Sequence, residues 1–154
     1  MLKRDTFEWD HMASPGSNAR RRLPDLVRSY YEDGRKTASS DPAPEALHDF
    51  RLRTKRLRYT VELFRSCYGP GVERWLESLR QIQGHLGAIS DCDTTRQICR
   101  AALPEASSDR KRLETYLDGQ AAREAAAFHR YWRSEFDKPG EARRWETYFG
   151  RKTK

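Results

Sequence analysis

Residues 48 to 59 read HDFRLRTKRLRY, with Arg or Lys at five of the eight positions from Arg51 to Arg58 and no acid among those eight. These side chains suit one kind of chemistry. Arg offers a planar fork that bonds two phosphate oxygens at once, and Lys offers a mobile point charge. His48 stands just ahead of the run, and an imidazole beside an anion is biased toward its protonated form. Together they are equipped to grip phosphate. A phosphohydrolase would need more: a nucleophile motif, a P-loop or a carboxylate cluster for Mg²⁺. None of these is read in the chain, so an enzyme acting on phosphate esters or anhydrides is the weakest function class.

The helix carrying the run has to present two faces at once. At 100° per residue, Ala46, Phe50, Thr54, Leu57, Val61, Phe64 and Tyr68 fall in one stripe, which predicts the side that meets the core. His48, Arg51, Lys55, Arg58 and Glu62 fall in a second stripe, about 120–150° around. Leu52, Tyr59 and Leu63 border that polar stripe on its far side. An ordinary solvent-facing stripe mixes charges of both signs and has no apolar border beyond it. Here a cationic row about 15 Å long, at 1.5 Å per residue, lies between two surfaces that favour burial. That predicts the floor of a groove or the wall of a channel. Like charges at i, i+3 and i, i+4 repel by about a few tenths of a kcal/mol per pair, so the empty row is destabilising and favours a polyanion. The competing reading is a structural helix salt-bridged to acids of neighbouring helices, such as Glu77, Asp91 or Glu114.

The surrounding sequence predicts helices throughout. A loose arm is expected over residues 1–16 and a single helical domain over 17–150. The first helix is expected from Ser17 to Asp33, with Pro24 near its start and GRKTASSDPAP as its breaker. The basic helix should run from Pro44 to Cys67 and end at YGPG. A third is expected from Val72 to Leu86 with Gly87 as its C-terminal cap. A short helix then runs from Asp91 to Ala102 behind a Ser90–Asp93 capping box. A long one follows from Ser108 to Phe136, with a core stripe of Leu113, Leu117, Ala121, Ala125, Phe128, Trp132 and Phe136. The last, short helix carries Trp145, Tyr148 and Phe149. No segment alternates with period two. The expected fold is all-α, an antiparallel bundle of about four core helices plus terminal helices.

Bulk properties narrow the partners. The formal net charge of +7 points to phosphate-bearing polymers or anionic surfaces. No apolar run approaches the roughly 18–20 residues that span a bilayer, and MLKRDTFEWDHM has no signal-peptide core. With three cysteines outside CxxC spacing, buried thiols in a reducing cytoplasm are expected. Neither metal nor cofactor is expected; a cation at His48 would be repelled by its basic neighbours. Arg80 is a candidate to reach the groove from the third helix. Arg123, Arg130 and Arg133 are candidates for the opposite wall, with a solvated face as the alternative.

The stretch LHDFRLRTKRLRYTVELF resembles the signature helix of CHAD domains, the conserved-histidine α-helical domains. The motif of His, two residues, Arg, three residues, a basic pair, one residue and Arg maps onto His48, Arg51, Lys55, Arg56 and Arg58. LESLRQIQGHLGAISDCD resembles the family's second helix, with Leu86, Gly87 and Asp91 in place. The likeness spans about residues 43–136. It implies an all-helical bundle whose basic groove binds inorganic polyphosphate without catalysis, and a cytoplasmic protein associated with polyphosphate granules. Nucleic-acid backbone binding is the competing function. A basic helix can enter a major groove, but few Asn or Gln accompany the Arg residues to read bases. The family usually carries two such repeats and one signature helix is found here, which implies a half-length repeat that pairs with itself as a homodimer.

Overall fold

The computed structural model describes residues 8–39 and 41–152. Five helices carry the chain: α1 (Pro15–Ser39), α2 (Pro44–Leu63), α3 (Gly71–Ala102), α4 (Ser108–Tyr131) and α5 (Glu141–Gly150). A 3₁₀ turn at Arg65–Cys67 follows α2, and a π-turn at Trp132–Phe136 extends α4. No strand occurs among the described residues, so the expected all-α bundle is the fold observed.

Aromatic side chains supply nearly half of the buried hydrophobic residues of the core. Tyr30, Tyr31, Trp75, Phe128, Trp132 and Phe149 are fully buried. Phe50 of α2 stacks on Tyr30 of α1 with centroids 5.0 Å apart and meets Trp132 edge-on at 5.7 Å. α2 packs between α1 and α3, while α3 packs along α4 and α1 along α5. The stripe read for α2 is buried from Phe50 through Thr54, Leu57, Val61 and Phe64 to Tyr68; Ala46 alone lies exposed. Thr54 donates to the Phe50 carbonyl at 2.8 Å, which leaves its oxygen to accept from the Tyr30 hydroxyl at 2.9 Å. Arg53 completes the attachment through Asp33 of α1. Both contacts fix the rotation of α2 about its axis.

Helix boundaries depart from expectation in two places. Pro24 lies inside α1, and that helix continues through Gly34 to Ser39. Gly34 is a site of close approach: a Cβ there would stand 1.9 Å from the Trp132 ring. α3 is likewise one helix of 32 residues, so Gly87 caps nothing and the Ser90–Asp93 box starts nothing. The helix is held through this segment by α4, with His85 to Glu124 at 3.3 Å and Arg100 to Glu114 at 2.8 Å. Local signals for a break are weaker than a partner helix alongside.

The long helix follows its expected span, with Leu117, Phe128, Trp132 and Phe136 buried, although Leu113 is 41% exposed. Its end is a π-turn in which the Asp137 amide donates to the Trp132 carbonyl at 2.7 Å. Of the expected arm, residues 1–7 lie outside the described residues. The remainder is tied down: Trp9 stacks near Phe64 at 6.0 Å, and the Asp10 amide donates to the buried Asn18 at 2.8 Å.

Candidate functional site

α2 starts where Pro44 occupies a first-turn position whose amide has no helical partner, with Glu45 beside it to complement the dipole. It ends at Phe64, whose φ of −99° and ψ of 7° turn the chain into the 3₁₀ segment. Between these points the core stripe and the contacts to α1 leave one side of α2 against α3 and one side open.

Arg51, Arg58 and Glu62 lie on the α3 side. Arg58 donates to Glu62 at 3.3 Å, and Arg80 of α3 reaches across to the same carboxylate oxygen at 3.3 Å while also pairing with Glu77. Arg51 lies against Gly87, its Nε 3.9 Å from where a Cβ would stand. That is an ordinary van der Waals distance, so a Cβ at Gly87 would touch the guanidinium without displacing it. The Nε atoms of Arg51 and Arg58 and the Oε1 of Gln83 are buried without hydrogen-bond partners. Unpaired polar atoms in such a seam are costly.

Lys55 faces outward over the Tyr59 ring at 5.8 Å, with the Arg58 guanidinium over the same ring at 4.6 Å. His48 is exposed one turn before Arg51. None of His48, Arg51, Lys55 or Arg56 has an ion pair among the described residues. The acids proposed as salt-bridge partners are engaged elsewhere or idle: Glu77 with Arg80, Glu114 with Arg100 and Arg110, and Asp91 with no cation. The row therefore keeps most of its positive charge.

One sequence expectation is modified by the packing. The far border of Leu52, Tyr59 and Leu63 is not buried; Tyr59 is 50% and Leu63 75% exposed, so the face is open on that side. Arg56 is exposed and sits two residues from Arg58, about 200° around the helix, which turns it away from the row.

Arg80 is brought into the row. Arg123 and Arg130 are exposed on α4, seven residues apart and so on one side of it. That side lies past the α3 contact made by Glu124, on the opposite edge of α3 from Arg51 and Arg58. Between the two edges α3 presents a stripe of Glu77, Gln81, Gly84, Ala88 and Asp91, facing away from the buried Ile82 and Leu86. A Cβ added at Gly84 would meet nothing within 4 Å. The outer side of α2, α3 and α4 thus carries exposed cations on α2 and α4, with the carboxylates of Glu77 and Asp91 on α3 between them. Gln83 escaped sequence reasoning because an uncharged residue gives no signal until its burial is seen.

No group of three or more metal-ligating side chains converges among the described residues, and none of the helices described is long and apolar enough to cross a membrane. Comparison with curated proteins and with solved structures yields no match. The CHAD-domain family model matches residues 2–100. The matched span takes in α1 and α2 and ends near the close of α3, earlier at both ends than the expected 43–136. With the signature helix and the α2–α3 seam inside a match that covers more than half of its residues, the chain belongs to the CHAD-domain family, which is linked to polyphosphate binding.

Proposed function

We propose that this chain binds inorganic polyphosphate along the open α2–α3–α4 face, held by Arg51, Lys55 and Arg58 with Arg80 beside them. His48 lies at one end of the row, and Arg123 and Arg130 border the far edge. The observation that carries the reading is that Arg51 and Lys55, one helical turn apart on the same side of α2, have no acid partner among the described residues. A flexible chain of phosphates supplies charge and acceptors together, with oxygens closely spaced enough to meet cations one helical turn apart. The role is one of binding, and no residue is assigned a catalytic step.

Titration with long-chain polyphosphate at several salt concentrations tests it, with duplex DNA as competitor. Counterion release gives nucleic acids a slope of about 0.7–0.9 per neutralised phosphate, and a linear polyphosphate should behave alike. The expected result is a steep salt slope and displacement by polyphosphate at far lower concentration than by DNA. A flat slope sinks the proposal; preference for DNA replaces it with the nucleic-acid reading.

The open border motivates a second proposal. Tyr59 and Leu63 lie exposed beside the row, and a two-fold pairing of copies would cover them while placing a second basic face nearby.

A further inference from the structure

The geometry points to a second anion site on another side of the bundle, one that takes a di- or triphosphate group. A cavity of about 500 Å³ opens between the start of α3 and α5, walled by Gly71, Arg74, Arg143, Trp145, Tyr148 and Arg151 among others. Arg74, Arg143 and Arg151 are exposed, and none has an ion pair among the described residues. A fourth arginine on the wall, Arg144, is held by Glu141 at 3.1 Å and stands 5.7 Å from the Trp145 ring. The nearby acids are occupied, Glu141 by Arg144 and the Trp145 indole, and Glu73 by Arg65.

Three uncompensated guanidinium groups around one concavity repel each other when it is empty. A compact ligand with several negative charges removes that repulsion, and each Arg can bond two of its oxygens. The neutral groups on the wall suit the same ligand. Tyr148 is oriented by donating its hydroxyl to the Gly69 carbonyl at 3.2 Å, and the Thr147 hydroxyl also lines the space. Gly140, at the left-handed φ of 85°, brings the chain into α5 at the cavity edge with open space where a side chain would project.

This site is separate from the α2 row. Arg74 lies six residues before Arg80 on α3, about 9 Å along the axis and about 240° around it. It shares no residue with the proposed polyphosphate face. Arg143 and Arg151 also fall beyond residues 2–100, the part matched by the family model. Two sources present this chemistry, a free short phosphate chain and the phosphate tail of a nucleotide.

The test is calorimetric titration of the full chain with tripolyphosphate and, separately, with ATP. The parent is compared with R74Q/R143Q/R151Q and with R51Q/K55Q/R58Q. The α3–α5 triple variant should lose binding of the better ligand by about tenfold or more, which corresponds to about 1.4 kcal/mol or more, and the α2 triple variant should retain a site of parent affinity. Whichever arm binds more tightly identifies the source. All three substituted positions are exposed, so circular dichroism should show unchanged helix content. The R74K/R143K/R151K variant, which keeps the charge, should recover part of the affinity. Binding of neither ligand, equal binding by the α3–α5 variant and the parent, or complete loss in the α2 variant alone would overturn the proposal. Because polyphosphate binding at the α2 row is read from different residues, it can fail while this site stands, and the reverse.

Discussion

Arg51 and Arg58 each combine a packed stem and a buried Nε with the absence of any acid on the neighbouring helix α3 that satisfies them. Their stems pack toward α3, as long cationic side chains commonly do; the Arg51 end meets no acid among the described residues, and the Arg58 end shares Glu62 with Arg80. Replacing Arg51, Lys55 and Arg58 together with Gln should weaken polyphosphate binding by about two orders of magnitude. That figure takes about 1.5–3 kcal/mol for each charge-assisted contact, discounted for a wet face and for non-additivity. Helix content should stay at the parent level, because the core stripe of Phe50, Leu57 and Val61 is untouched and like-charge repulsion is relieved. Circular dichroism beside the titration separates the outcomes: a variant that binds like the parent makes the row structural.

Helix packing determines what α1 and α3 tolerate. Gly34 sits under the Trp132 ring, where an added Cβ would stand 1.9 Å from an aromatic carbon. Trp132 is itself buried and wedged against Tyr30, Phe50 and Phe136, so the ring has little room to give. Gly34→Ala should destabilise the fold by about 1–3 kcal/mol through overpacking, despite the gain in helix propensity of about 1 kcal/mol that Ala normally brings over Gly. At this size each kcal/mol corresponds to about 2–4 °C in Tm, so thermal denaturation would read it directly. Gly84→Ala, with nothing within 4 Å of the added carbon, serves as the control and should raise Tm or leave it unchanged.

For the molecule as a whole, the buried tyrosines set a limit on the alkaline side. Burial pushes the phenols of Tyr30, Tyr31 and Tyr68 above their ordinary value of 10.0. A phenol with a higher pKa in the folded chain holds its proton more tightly there. Its stabilising contribution is complete below pH 10 and is lost as pH rises from there toward the folded value. Tm should therefore fall above about pH 10, and these three phenols should ionise only as the bundle opens. Ultraviolet titration showing all seven tyrosines ionising freely in a folded chain would contradict this. Association also belongs to this scale. If two copies pair through the open α2 border, sedimentation at micromolar concentration should show a dimer with or without polyphosphate, and Leu63→Glu should return it to monomer. Monomer under every condition removes the pairing proposal and leaves the single face as the binding unit.

Periodicity by itself determined that the chain is helical, where α2 lies, and which of its sides meets the core. A 3.6-residue pattern of large apolar residues can be buried in only one way on a helix. It also placed Arg51, Lys55 and Arg58 on one stripe, since their spacing fixes their angles whatever surrounds them. Tertiary structure decided the rest. Gly34 and Gly87 read as helix ends along the chain, yet helices run through both, and at Gly34 the Trp132 ring crosses too close for a Cβ, which only packing shows. Tyr59 and Leu63 were expected to be covered, but burial depends on what lies opposite, and nothing among the described residues buries them. The recruitment of Arg80 through Glu62, the burial of the Gln83 Oε1, and the cavity between α3 and α5 all join residues far apart in sequence. Local spacing carries no record of such contacts, because they arise only when the helices close on a shared core.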